Sequence, residues 1–251
     1  MKYLFVSLSL LCFLQMNAQN AKTTPAVMSA APEKTKQGND TVITKDPVNS
    51  DREYWMILDA SRNLKMQGQM VKGLKEGTWR EYGGVNSTIQ KVDEFKSGKL
   101  NGMSSTFNAS GMITSDETYR NDTLNGRRML FTGSGRVKLV EHYKNGLLDG
   151  ERYSYYDDGK LQEEGKYING KRDGITKWYS QNGNLSLQYT YTNGDLNGLA
   201  KQFDDKGLIR QEGDFVNNNE EGEWKEYEGG VLVKKILYKA GTVTKETQVR
   251  K

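Results

Sequence analysis

The chain has one cysteine, one histidine and three prolines in 251 residues, and each scarcity excludes something. Cys12 lies inside an apolar run near the N-terminus, so the chain beyond it can form no disulfide and must hold together by other means. His142 stands alone, and there is no Gly-x-Ser-x-Gly elbow or P-loop. The usual nucleophile and metal constellations therefore lack their members, and no cofactor or metal is expected. Pro25, Pro32 and Pro47 all precede Asp51. The proline-free stretch that follows suits continuous strand pairing, because proline cannot donate to a β-ladder. An excess of one charge is also missing. The 36 basic and 32 acidic side chains are scattered rather than gathered into a stripe, which speaks against a nucleic-acid partner.

The N-terminus reads as a secretory signal peptide over residues 1–19. Lys2 precedes an apolar run from Tyr3 to Leu14, followed by Gln15, Met16, Asn17, Ala18 and Gln19, with cleavage expected near Ala18 or Gln19. That run is too short for the roughly twenty residues of a membrane-spanning helix, so no stable transmembrane anchor is expected and the predicted location is secreted or periplasmic. Residues 20–50 are rich in Ala, Thr, Lys, Asn and Pro with isolated aliphatics. They bury too little apolar surface to offset the entropy of ordering, and read as a flexible linker.

From Asp51 the glycines disclose a period: Gly102, Gly126, Gly150, Gly174, Gly198 and Gly222 are spaced by 24 throughout. Gly111, Gly135, Gly159, Gly183 and Gly207 keep the same spacing, as do the aromatics Phe107, Phe131, Tyr155, Tyr179, Phe203 and Tyr227. A second aromatic series runs Phe95, Tyr119, Tyr143, Tyr167, Tyr191 and Phe215. Between the two comes an aliphatic, as at Ile113, Val137, Leu161, Leu185 and Ile209. A divergent first copy from Glu53 to Gly77 has Arg62 where its turn glycine should be, as a capping repeat allows. No segment sustains a helical apolar stripe, and glycine recurs too often to permit one.

The unit is thus two strands and two turns. Asn-Gly and Asp-Gly pairs, among them Asn145-Gly146, Asn193-Gly194, Asn125-Gly126, Asn197-Gly198 and Asp149-Gly150, are expected to supply positive φ at tight hairpins. The aromatic, aliphatic and aromatic positions lie six apart, so simple alternation puts all three on one side of the sheet. The expected fold is all-β. It is an elongated antiparallel meander of about eight 24-residue β-hairpin repeats, about sixteen strands, over residues 51–245, with a polar tail at 246–251.

The frame Gly-x4-aromatic-x3-Gly-x-aliphatic followed by Tyr-x-Asn-Gly-x3-Gly, as in Gly126 to Gly150 and Gly150 to Gly174, resembles the MORN-variant repeat family over roughly residues 53 to 245. The resemblance implies an extended β-hairpin array that serves as a scaffold or binding surface without an activity of its own. Some proteins of this family carry an antitoxin label, a cytosolic role from which the leader of this chain departs. The chain also lacks the Gly and Trp that follow the leading Tyr of ordinary MORN repeats, to which lipid-binding and dimerising roles are linked.

Chemistry has few candidates. The acidic pairs Asp157/Asp158 and Asp204/Asp205 fall at turns, where Asp is favoured for local hydrogen bonding, while neighbours such as Glu163/Glu164 on a strand face opposite sides. No catalytic residue is assigned. Trp79, Trp178 and Trp224 are candidate ligand-binding residues, with covers over the ends of the array as the plainer reading of Trp79 and Trp224. The expected function is an exported, non-catalytic scaffold with a protein partner in the cell envelope. The alternative is a carbohydrate or cell-wall glycan module using exposed aromatics.

Overall fold

The computed structural model describes residues 40–84 and 86–249; the leader segment and residues 20–39 of the linker lie outside the described residues. The described chain is one open antiparallel sheet of twenty-one strands in a meander, from β1 (Asp40–Lys45) to β21 (Thr242–Gln248). Three are two-residue fragments split from the strand that follows: β10 (Leu147–Leu148), β13 (Lys171–Arg172) and β16 (Asp195–Leu196). The chain therefore crosses the sheet eighteen times rather than about sixteen.

Both extra crossings lie outside or across the expected boundaries. β1 falls within the stretch expected as linker and pairs along its whole length with β2 (Arg52–Leu58), from Asp40↔Leu58 to Lys45↔Glu53. Its Thr41-Val42-Ile43-Thr44 run is β-branched throughout, which suits a pleated surface once a neighbour is present to pair with it. At the other end β21 extends past residue 245 into the expected tail, and Gln248 pairs with Lys234.

Two turn types alternate from Asp59 to Asn218; beyond them a second wide loop precedes Arg52, and Gly229-Gly230 is again a two-residue turn at positive φ (57° and 81°). The first is a two-residue turn with both residues at positive φ, as at Asn145 (51°) and Gly146 (81°), Asn169 and Gly170, Asn193 and Gly194. Its tip is tied to the preceding repeat: the Gly146 N–H donates to the Leu124 carbonyl (2.9 Å), Gly170 to Leu148 (2.7 Å) and Gly194 to Arg172 (2.8 Å). The stacked turns thus satisfy backbone donors that a lone hairpin would leave to water. The second is a wider loop, such as Asn108 to Met112, in which the Gly111 N–H donates back to the Asn108 carbonyl (2.9 Å). In the first hairpin Arg62 takes the glycine's place at φ 67°, where Asp59 Oδ1 accepts from the Ser61 and Asn63 amides.

The glycine series that discloses the period is not at the turns, contrary to the expectation for Asn125-Gly126, Asp149-Gly150 and Asn197-Gly198. Gly126 (φ 129°) pairs with Tyr143, Gly150 (φ 128°) with Tyr167 and Gly198 (φ 115°) with Phe215. Each glycine lets the strand bend at an irregular step and leaves room for a side chain of the preceding strand, Thr118 at Gly126, His142 at Gly150 and Thr190 at Gly198.

The three repeating rows also do not share a face. In β11 (Gly150–Tyr155) and β12 (Leu161–Ile168), Tyr155 pairs with Leu161 while Ser154 pairs with Glu163, so Gln162 is an extra residue. This bulge, repeated in the other hairpins, reverses the alternation between Leu161 and Tyr167. Tyr155 and Leu161 face one side, here called the outer face. Tyr167 faces the other, the inner face, where it meets Arg172.

Candidate functional surface

One residue from each crossing forms a single line along the inner face: Ile43, Trp55, Gly68, Trp79 and Asp93, then Ser104, Glu117, Arg128, Glu141 and Arg152, then Gly165, Thr176, Tyr189 and Ala200, then Gly213, Trp224, Ile236 and Glu246. Of the twelve buried residues among those described, ten lie on this line. In a sheet with no second layer, a side chain is kept from water only by its neighbours on the same face, so neighbours along the line must fit each other.

They do so by complementary size and charge. A Cβ placed on Gly68 would stand 2.2 Å from Trp79 Cδ2, and one on Gly213 the same distance from Trp224 Cδ2, so each indole lies against bare backbone. Gly165 receives Thr176 in the same way, and Tyr189 packs against the cluster of Ala200, Trp224 and Ile236. Asp93 accepts from the Ser104 hydroxyl (2.6 Å). In the middle the line is ionic. Arg128 bridges Glu117 (3.0 Å) and Glu141 (3.0 Å), and Arg152 bridges Glu141 (3.2 Å) and Glu163 (2.9 Å). Arg172 continues the ladder to Glu163 and lies over the rings of Tyr167, Trp178 and Tyr191 at 5.5–5.6 Å.

Two of the three candidate tryptophans are packed out of reach of solvent. Trp79 and Trp224 are each 3% exposed, and their Nε1–H groups donate to the carbonyls of Gln69 (3.0 Å) and Asp214 (3.1 Å). Neither indole is free to stack on a ligand, nor do they cap the array's ends, since further strands lie beyond both. Trp178 is half-buried, set edge-on to Tyr189 at 5.7 Å and covered by Arg172. Sequence reasoning misses the pairing because each partner sits eleven residues away, at Gly68/Trp79, Glu117/Arg128, Glu141/Arg152 and Gly213/Trp224, a spacing outside the 24-residue glycine period.

Tyrosines on both faces are held protonated. Burial, then the hydrogen bond to Glu117, pushes Tyr119 up to about 12. The bond to Glu212, then burial, does the same for Tyr227. Burial also raises Tyr143, Tyr167 and Tyr191. A pKa raised on folding stabilises the folded state fully below the unfolded value of 10 and ceases to do so as pH climbs through the folded value. Thermal melts followed by circular dichroism should therefore hold steady to about pH 9.5 and fall steeply between about pH 10 and pH 12. A midpoint that stays level across that interval would show that these hydroxyls titrate as they do in the open chain.

The outer face is different. Ile175, Leu199 and Leu237 adjoin Thr176, Ala200 and Ile236 of the buried line and so point the other way, with exposures of 50%, 39% and 44%. Ile168 and Val216, next to Tyr167 and Phe215, add 41% and 44% on the same side. Ile175 pairs with Thr190, whose hydroxyl donates to the Leu199 carbonyl (2.8 Å), and Leu199 pairs with Asp214. These contacts set Ile175 and Leu199 beside each other across one strand.

Little else is arranged for chemistry. His142 Nδ1 donates to the Glu151 carbonyl (2.9 Å). Glu163 belongs to the ionic ladder, while Glu164, on the outer face, accepts from Tyr179 (2.7 Å) and Lys177 (3.0 Å). Among the described residues no group of three or more His, Cys, Asp or Glu is placed to hold a metal ion, and no helix is long and apolar enough to cross a bilayer. An open depression of about 550 Å³ lies at the loops around Tyr155, Tyr156, Asp158 and Gln181. Its polar groups already serve the fold, with Tyr156 donating to the Tyr179 carbonyl (2.7 Å) and Lys160 to that of Gln181 (2.8 Å).

No curated protein matches the chain. Residues 148–169 and 172–193 match the MORN repeat variant, and each matched stretch spans one wider loop with the strands on either side and ends on the first residue of a two-residue turn. The matched stretches share their alternating turns, bulges and glycine–aromatic pairs with the hairpins on either side. Residues 148–193 are thus two adjacent MORN-variant repeats within a longer array of hairpins built to the same plan.

Proposed function

We propose that this chain is an exported, non-catalytic repeat scaffold whose outer sheet face binds another protein at the cell envelope. The observation that carries the reading is the separation of the two faces. The inner face packs most of its large side chains along or beside its buried line and leaves Val243 exposed near the end, whereas the outer face leaves Ile168, Ile175, Leu199, Val216 and Leu237 uncovered over the C-terminal half. Exposed apolar side chains grouped on one face mark an interaction surface more readily than scattered ones do. MORN-variant repeats support a scaffold role, and export rests on the composition of residues 1–19.

The test is capture from the native envelope fraction by the wild-type chain and by Ile175→Lys/Leu199→Lys, whose new side chains enter solvent and leave the buried line alone. A stoichiometric partner protein retained by the wild type and lost by the double variant is expected. Equal retention by both would remove the outer face from the reading. Saturable binding of purified cell-wall glycan, with no protein partner, would replace the scaffold by a glycan-binding module.

A further inference from the structure

The fold lines up cations that the sequence scatters. Lys96 closes β5 (Thr88–Lys96), Arg120 closes β7 (Ile113–Arg120) and Lys144 closes β9 (Val137–Lys144), one repeat apart each time. Each stands three residues beyond a member of the buried line, Asp93, Glu117 or Glu141, and so points to the outer face. Lys99 pairs with Lys96, and Lys171 with Ile168, which puts both on that face too. Thr123, Leu147 and Ile168 fill the crossings between. The row covers eight successive crossings, about 34 Å at the usual 4.8 Å between strands.

Nothing in the fold asks for these charges. All five cations are exposed, and among the described residues none of them is in an ion pair. Lys96 and Lys99 stand directly opposite each other, an arrangement that costs a pair of strands stability. Beyond Lys171 the row continues with Thr192, Asp195, Val216 and Asn219, so the basic stretch has a definite end.

The surroundings select the occupant. Leu147 and Ile168, exposed at 50% and 41%, interrupt the cations and would lie bare against a polymer of uniform negative charge. Asp122, Asp149 and Asp173 stand along the same turn edge, where each accepts from a backbone amide of the neighbouring turn or strand, and they would repel such a polymer. A sheet also twists by roughly 20° per strand pair, so a row this long leaves the plane of a flat bilayer, whereas a flexible chain follows it. A polypeptide can set carboxylates on the cations and apolar side chains on Leu147 and Ile168. We infer that this row docks an acidic segment of a partner protein, laid across the strands from β5 to β13. The inference deepens the outer-face reading and rests on it, giving the partner's chemistry and a second line of contact beside the two-residue turns.

The experiment uses the full chain and a labelled peptide of glutamates interspersed with leucines, about twelve residues long so that it spans the row in extended form. Lys96→Glu/Lys99→Glu/Lys144→Glu should bind it at least about ten times more weakly than the wild type, whose own affinity should fall as salt rises. Lys138→Glu/Lys206→Glu/Lys245→Glu makes the same change of net charge at exposed positions away from the row, and should bind within about twofold of the wild type. Circular dichroism should show both variants folded, since all six side chains lie in solvent. Equal loss in the two variants, or loss in neither, overturns the inference, because the peptide would then read net charge or nothing. Chondroitin sulfate or phosphatidylglycerol vesicles bound through the row while the peptide is not would overturn it as well, giving the row to a uniform polyanion or a bilayer. A partner captured from the envelope fraction through Ile175 and Leu199, and retained undiminished by the row variant, would strike this inference and leave the outer-face reading standing.

Discussion

Gly213→Ala is expected to destabilise the array by about 3 kcal/mol, at the upper end of overpacking costs, although it adds a single carbon. The new Cβ would stand 2.2 Å from Trp224 Cδ2, and neither partner has room to give. The Gly213 backbone is bound into the sheet between Ala200 on one side and β19 (Asn219–Glu228) on the other. The Trp224 indole is held by its hydrogen bond to Asp214 and by edge contacts with Phe215 (5.1 Å) and Tyr238 (5.9 Å). Trp224→Ala alone should cost about 3–5 kcal/mol by emptying the best-filled part of the line. In the double variant the methyl enters space the indole has left, so its cost should be close to that of Trp224→Ala and well below the sum. Urea unfolding followed by circular dichroism, with all four proteins in one cycle, reads this as a coupling of about 2–3 kcal/mol. Additivity within about 0.5 kcal/mol would mean that the indole does not rest on that glycine.

The same pair shows what the sequence made legible. Period and strand class followed from glycine and aromatic spacing, because each copy of a hairpin must solve the same turn geometry and solves it with the same residue types. The buried line was harder to see because it is not repeated. Its rungs run from Gly with Trp, through Asp with Ser and Glu with Arg, to Gly with Thr and back to Gly with Trp, so aligned copies show a variable column. A column that varies hides Trp79 and Trp224 as core residues, yet it varies in step with a second one and the sum of each pair is what the packing constrains. The face assignment failed for a different reason. A one-residue bulge leaves the six-residue spacing of the aromatics intact and still reverses the alternation between them, and nothing in the spacing marks where the extra residue goes. The strand at Asp40–Lys45 escaped notice because it belongs to no copy of the motif and gains its order from β2.

Glu141→Ala is the second large effect, expected at about 2–4 kcal/mol. Its carboxylate is nearly inaccessible and accepts from Arg128 (3.0 Å), Arg152 (3.2 Å) and the Tyr143 hydroxyl (3.0 Å), so removing it leaves two guanidinium groups and a phenol without their shared acceptor. Stripping one partner from a buried ion pair costs about 3–5 kcal/mol; here the arginines keep 30% and 21% of their side-chain surface, and water offsets part of the loss. Glu117 and Glu163 remain to hold the outer ends of the two arginines, which limits the damage further. Glu141→Gln should cost less than Glu141→Ala, because the amide oxygen still accepts while its NH2 group meets a cation. Replacing Arg128, Glu141 and Arg152 together by leucine should restore part of what Glu141→Ala loses, since no guanidinium is then left without its acceptor while Glu117 keeps Tyr119 and Glu163 keeps Arg172 as partners. That ordering, read from urea midpoints at low and high salt, separates a buried ladder from a surface one. A solvent-exposed ladder would give losses below about 1 kcal/mol that vanish in salt, and the triple leucine variant would then gain nothing over the single change.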